Sequence, residues 1–184
     1  MFPAYSRVPL PTDSLPFIRR HGECVSPARG AEAAALPLTT ITAWETLFER
    51  MGLTADSTGT LLVVGGAGGV GSMVVQLARG LTGVTVVATA SRPESREWAL
   101  TLGAHRVVDH RRLRAEVSDV NRVFSPFSEG NVETYAETAR LVDAGVLRTT
   151  MTRKLTPTTP ENLRAAHEAV EGSAMIGKIV VATE

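Results

Sequence analysis

The stretch from Gly59 to Leu81, GTLLVVGGAGGVGSMVVQLARGL, constrains the fold more than any other part of the chain. Leu61 to Val64 is a short apolar run, the pattern of a strand buried on both faces. A glycine-dense turn follows at once: Gly66, Ala67, Gly68, Gly69, Val70 and Gly71 fit G-x-G-x-x-G. Beyond it Val70, Val74, Leu77, Ala78 and Leu81 recur at three-to-four-residue spacing, so the turn opens into an amphipathic helix. Strand, glycine turn and helix in that order make an anion site, because the helix's first N–H groups and its positive dipole end face the turn. In this reading Gly66 permits the tight bend, Gly68 lets the backbone approach a pyrophosphate, and Gly71 lets the helix lie close to the strand. The alternative, a flexible glycine loop, is disfavoured by the flanking strand and helix. A P-loop is excluded, since Ser72 follows Gly71 where mononucleotide sites carry lysine.

The neighbouring segments repeat the alternation. Val84 to Thr89 is β-branched and reads as a second parallel strand. Ser91-Arg92-Pro93-Glu94 opens a helix, with Pro93 near its first position, that runs to about Leu102 and stops at Gly103. Arg106 to Asp109 is a third strand. The resulting βαβαβ pattern predicts an α/β fold with a doubly wound parallel sheet of the Rossmann type. Upstream, residues from Ala31 predict a helical turn, a break at Pro37 and a helix from Thr40 to Met51, closed by Gly52. Its apolar face is Ile41, Trp44, Leu47, Phe48 and Met51. Downstream the expected elements are a helix from Leu113 to Val120, a strand from Arg122 to Ser125, and a helix from Val132 to Ala144 ending at Gly145. A strand from Val146 to Thr152, a helix capped by Thr159 with Pro160 at its first position, and a closing strand from Gly177 to Ala182 complete the chain. Leu163, Ala166, His167 and Val170 share one face of that last helix. Residues 1–30, broken by Pro3, Pro9, Pro11, Pro16 and Pro27, read as an irregular arm. The expected division is 1–30 for the arm, 31–145 for the dinucleotide-binding domain and 146–184 for a C-terminal strand-helix-strand segment.

Composition narrows the function classes. Lys plus Arg and Asp plus Glu are equal at 19 each, so there is no basic stripe for nucleic acid, and the near-zero charge favours self-association. Cys24 is the single cysteine, which excludes an internal disulfide and a Cys₄ zinc site and suits a reducing compartment. No apolar run reaches the length of a membrane span, and a cytoplasmic location is the expectation. The four histidines, His21, His105, His110 and His167, are scattered, so no metal is expected.

Taken together, LPLTTITAWETLFERMGL, LLVVGGAGGVGSMVVQLAR, ATASRPESREWALTLGAHRVVDH, LVDAGVL and GKIVV resemble the medium-chain dehydrogenase/reductase superfamily, in its zinc-type alcohol dehydrogenase-like, quinone-oxidoreductase-like branch. The likeness spans roughly residues 31–111 and 139–182. It implies a GroES-like substrate domain beside a Rossmann domain, and NADPH-dependent reduction of quinones, enones or carbonyls. Two departures stand out: the GroES-like domain is almost absent, with residues 3–15 as at most a remnant of its first strand. The second lies between Phe124 and Thr138, where the chain skips a segment that in the family carries the last Rossmann strands and the far wall of the nicotinamide pocket, so the sheet is expected to be incomplete. The terminal strands, which in the family pair with the missing domain, become open edges.

Arg92 stands about twenty residues after Gly71, where an arginine suits the 2′-phosphate of NADP(H), and Ser91 can add a hydrogen bond. The alternative is a solvated surface arginine. Thr42, in the TAW segment, approaches the nicotinamide end in similar proteins; equally, it can be a helix threonine bonded to its own backbone. The resemblance brings Lys178 toward the cofactor, against an ordinary exposed strand lysine. No catalytic acid or base can be named, and a short-chain reductase dyad fails because Tyr135 is followed four residues on by Ala139. Two functional readings remain: an NADPH-dependent oxidoreductase acting on a small quinone, enone or carbonyl, and a dinucleotide-binding remnant or incomplete gene product without catalysis.

Overall fold

A four-stranded parallel sheet carries the glycine turn at one end. The computed structural model describes residues 18–19, 23–24, 30–117, 119–124, 140–172 and 175–183. The sheet comprises β3 (Thr60–Val63), β4 (Thr85–Thr89), β5 (Arg106–Val108) and β6 (Arg122–Phe124), in the order β5-β4-β3-β6. Leu61 is level with Val86 on one side and Arg122 on the other, and Ala88 with Val107. The connections α3 (Gly69–Leu81) and α4 (Pro93–Thr101) link β3 to β4 and β4 to β5, so the strand order reverses at β3, where an open α/β sheet places its ligand crevice. This is the expected doubly wound arrangement.

Side chains alternate along the strands. Leu61, Val63, Val86, Ala88 and Val107 join the main core with Met73, Val74, Leu77 and Ala78 of α3 and Ala99 of α4. Leu62, Val87 and Val108 point to the opposite face, where the packing partners are the partly buried Leu113, Val117 and Val120. The second face is thus the thinner one. The main core is extended by α2 (Pro37–Trp44) and a π-helical continuation, Glu45–Arg50, through Trp44 and Leu47. Leu47 is fully buried, and Trp44 meets Phe48 edge-on at 4.5 Å. The expected break falls at Ala35 and Leu36, just ahead of Pro37, and Pro37 itself opens this helix, because a proline at a first helical position lacks only an N–H that would be unpaired there anyway. The short helix α1 (Gly30–Ala34) precedes it, and Gly52, at φ +63°, ends the run as expected.

Two further boundaries shift for tertiary reasons. Helix α5 stops at Glu116 (Leu113–Glu116), short of Val120, because the following segment is held extended against β3. Asn121 Oδ1 accepts the Thr60 N–H at 2.8 Å, and Asp119 accepts from the Thr60 hydroxyl at 3.2 Å and from Arg106 at 3.1 Å. The strand expected from Val146 lies instead at β7 (Met151–Leu155). Residues ahead of it are fixed by α3: Leu147 is buried in the main core, and the Arg148 N–H donates to Gln76 Oε1 at 3.0 Å. β7 pairs in parallel with β8 (Lys178–Val181), and α6 (Pro160–Glu171) connects them. Thr159 caps α6, its hydroxyl accepting the Asn162 N–H at 3.2 Å, with Pro160 first in the helix. No residue of α6 is buried, and Leu163 and Val170 are exposed.

β1 (Ile18–Arg19) and β2 (Glu23–Cys24) form an antiparallel pair in the N-terminal arm. Residues 3–15, the first part of the helix expected from Val132, and the pair Tyr135 and Ala139 lie outside the described residues. Gly145, at φ +71°, follows the helical residues 140–143.

Candidate functional site

The turn after β3 is built by division of labour among its glycines. Gly65, at φ +70°, makes the bend assigned by sequence to Gly66. Gly66 is needed for a different reason: a Cβ there would stand 2.6 Å from the Cβ of Ala88 on β4. Gly68 closes the turn by donating its N–H to the Gly65 carbonyl at 2.9 Å and serves as N-cap of α3 in an extended conformation. A Cβ on Gly71 would run into the Gly65 carbonyl oxygen and come within 2.9 Å of Gly66 Cα, so this glycine sets the closeness of helix and strand. The first N–H to close on the turn is that of Ser72, which donates to Gly68 O at 2.8 Å. The N–H groups of Gly69, Val70 and Gly71 precede it at the positive end of the helix, the position an anion occupies.

Thr89, at the end of β4, pins the turn from the side. Its hydroxyl accepts the Gly65 N–H at 2.9 Å and its carbonyl accepts the Gly66 N–H at 3.2 Å. A cavity of about 530 Å³ opens beyond these strand ends, lined by Gly65, Ala67, Gly68, Ser91, Arg92 and His110 among others. Ser91 and Arg92, the residues singled out by their spacing, therefore share one cavity with the glycine turn. Arg92 is the N-cap residue of α4, and its carbonyl accepts from the Ser95 hydroxyl at 2.9 Å. Glu94 sits in the first turn of α4, where a carboxylate complements the helix dipole.

Lys178 begins β8, and its side chain crosses the start of α3: its Cε lies 2.9 Å from where a Cβ on Gly69 would stand. The preceding Gly177 donates its N–H to the Ala67 carbonyl at 3.0 Å and bridges to Gly68, so the C-terminal strand is docked on the glycine turn itself. Thr42 donates its hydroxyl to the Leu38 carbonyl at 3.0 Å within its own helix and is not among the residues lining this cavity. Val70 is half-buried and packs against the main core.

Thr89, His110 and Met175 line the cavity without having been singled out in the sequence. His110 directly follows the end of β5, as Ser91 follows the end of β4, so the rule that ligands sit beyond the carboxyl ends of parallel strands would have found it. Met175 carries no local signal. Beside His110, the Arg111 guanidinium bonds both oxygens of Asp109 and holds that carboxyl well below the usual carboxylate range. Among the described residues no three His, Cys, Asp or Glu side chains come together to hold a metal, and no helix is long and apolar enough to cross a membrane.

The sequence matches the family model of the zinc-binding dehydrogenases over residues 69–165, more than half of the chain. A zinc-type alcohol dehydrogenase-like protein of Staphylococcus aureus is 28% identical over 214 positions, covering 82% of this chain and 64% of its own length. An NADPH-dependent alkenal/one oxidoreductase of Arabidopsis thaliana chloroplasts is 41% identical over 87 residues, covering 47% of this chain and 22% of its own. Among solved structures, a Rhizobium etli protein ascribed to the zinc-dependent alcohol dehydrogenases superposes with a TM-score of 0.68 at 34% identity, covering 83% of this chain and 63% of its own. The chain thus spans less than two thirds of these relatives. The first match runs over more positions than this chain has residues, so the chain skips internal segments that the relative carries. Fold, glycine turn and family match agree: the chain belongs to the zinc-binding dehydrogenases of the medium-chain dehydrogenase/reductase superfamily.

Proposed function

We propose that this chain binds NADP(H) and serves an oxidoreductase reaction in which a quinone, enone or other polarised carbonyl compound is reduced. The observation that carries the reading is the single cavity shared by the glycine turn with Ser91 and Arg92. The residues present suit the cofactor. The first N–H groups of α3 face a pyrophosphate, the absence of a Cβ at Gly68 leaves its approach open, and Lys178 adds a cation beside the same helix start. Arg92 takes the 2′-phosphate through parallel N–H donors, with Ser91 as a second donor. Thr42 is assigned to the nicotinamide end by family resemblance. When bound, the nicotinamide supplies the hydride. The protein's share is to orient that ring and exclude water. The family's zinc finds no donor set among the described residues.

A second reading, binding without turnover, draws on one specific observation: the chain skips internal segments that its Staphylococcus relative carries. Hydride transfer needs the acceptor held against the nicotinamide, and segments missing from the substrate side remove that proximity. Titration calorimetry of the parent and of Arg92→Ala with NADPH and NADH tests the binding half. A charge-assisted hydrogen bond contributes about 1.5–3 kcal/mol, so the variant should lose roughly tenfold to a hundredfold in NADPH affinity and almost nothing for NADH. Equal losses for both, or none, would refute the selectivity argument. Turnover is then read as NADPH oxidation with phenanthrenequinone by homogeneous protein. A weak or undetectable rate supports the second reading, and steady oxidation at ordinary enzyme rates overturns it.

A further inference from the structure

The turn that presents Ser91 and Arg92 is tied down by main-chain bonds on either side. The Ala90 N–H donates to the Val108 carbonyl at 3.0 Å, and the Arg96 N–H donates to the Arg92 carbonyl at 3.0 Å. Side chains add to these ties: the Ser95 hydroxyl donates to the Arg92 carbonyl at 2.9 Å, and a second residue spans the two strand ends. Arg96, one turn into α4, donates from Nη1 to the Ala90 carbonyl at 3.3 Å and from Nη2 to the Val107 carbonyl at 2.9 Å. Ala90 and Val107 are both buried residues and the two bonds are partly shielded, so loss of the guanidinium leaves each carbonyl short of a donor. One planar fork therefore couples the end of β4 to the end of β5, and through Ala90 it sets the direction in which Arg92 leaves the sheet.

We propose that Arg96 is a positioning residue for dinucleotide selectivity: by bridging the Ala90 and Val107 carbonyls it holds the turn in the one orientation that aims Arg92 at a 2′-phosphate. This rests on the reading of Arg92 given above. Arg96 does not touch the ligand. Without the fork, two buried carbonyls lose their donor, the turn rotates to recover bonds, and Arg92, two residues beyond Ala90, moves with it. The pyrophosphate site is anchored separately, through Thr89 and the α3 helix start, and stays in place. A lysine at this position reaches one carbonyl but cannot span both, so it restores part of the effect.

Calorimetric titrations of the parent, Arg92→Ala, Arg96→Met, Arg96→Lys and the Arg92→Ala/Arg96→Met double variant with NADPH, NADH and 2′,5′-ADP test the proposal, with a circular dichroism melt of each. Displacements near 1 Å cost up to about a hundredfold in productive geometry. Arg96→Met should therefore weaken NADPH and 2′,5′-ADP about tenfold and NADH less than about twofold, a split that falls within that bound. Arg96→Lys should fall between it and the parent, and the double variant should bind NADPH no worse than Arg92→Ala alone. Equal losses for NADPH and NADH, or losses that add to those of Arg92→Ala, mean that Arg96 merely supports the fold and overturn the proposal. A selective loss in Arg92→Ala with none in Arg96→Met overturns it while leaving the cofactor reading standing. No selectivity in either variant removes the cofactor reading and this proposal with it. Should Arg96→Met fail to fold, the NADPH-to-NADH ratio of Arg96→Lys decides: a ratio unchanged from the parent overturns the proposal.

Discussion

Replacing Gly71 with alanine should weaken dinucleotide binding by about a hundredfold, whereas the same change at Gly65 should weaken it only modestly. At Gly65 nothing lies within 4 Å of an added Cβ, so the cost is the strain of φ +70° alone. That strain is roughly 1–2 kcal/mol, partly offset by about 0.4–1 kcal/mol from a less flexible unfolded chain. The helix start stays where it is, and the loss in NADPH affinity should remain under about tenfold, the equivalent of 1.4 kcal/mol. At Gly71 the added methyl meets backbone: the Gly65 carbonyl oxygen and, at 2.9 Å, the Gly65 carbonyl carbon and Gly66 Cα. Backbone cannot swing aside as a side chain can, so α3 and the turn must separate by on the order of 1 Å to restore normal contact. Overpacking of this kind costs typically about 1–3 kcal/mol, and the gain in helix propensity from glycine to alanine, roughly 1 kcal/mol, offsets only part. The functional loss is larger, because that separation moves the Gly69 to Gly71 N–H donors off the pyrophosphate, and a 1 Å misplacement can cost about a hundredfold. Urea denaturation and NADPH calorimetry on both variants read the two effects. If Gly71→Ala binds NADPH as the parent does, helix-to-strand closeness is not what makes the site.

His105 predicts a pH dependence of stability. Burial, and then the nearby Arg79, lower its pKa, and its Nδ1 accepts the Val86 N–H at 2.9 Å, a bond that requires the neutral ring. As pH falls below the ordinary histidine value of about 6.5, the unfolded chain takes up the proton first, so this contribution is full above that pH and is lost below it. His105→Gln should flatten the stability profile between about pH 7.5 and 5.5, and an unchanged slope in urea titrations would refute the assignment. Leu163 and Val170, 46% and 56% exposed on α6, should drive self-association of a chain with zero net charge. Changing both to lysine should shift sedimentation toward monomer, and an unchanged distribution would place the contact elsewhere.

The local parts of the fold were legible in consecutive residues. Leu61 to Leu81 declares strand, turn and helix, because a strand buried on both faces is a continuous apolar run and a helix packed on a core repeats every 3.6 residues, and both are written in consecutive residues. Pro160 behind Thr159 and the glycines at 52, 103 and 145 mark helix ends for equally local reasons of capping and positive φ. What the sequence could not decide is which of two adjacent glycines bends: Gly65 does, and Gly66 is small only because Ala88 of another strand stands against it. Nor could it place β7, whose start is set by Gln76 gripping Arg148 across 72 residues. The same holds for the end of α5, set by Asn121 reaching Thr60. The cavity shows the difference most plainly. The spacing of Ser91 and Arg92 from the glycine turn follows from one βαβ unit, whereas His110 and Met175 arrive from later parts of the chain, and Thr42 turns to its own helix. Periods and caps act between neighbours, but a wall assembled at the ends of separate strands depends on how the sheet is ordered and what packs upon it, and only the tertiary structure settles that.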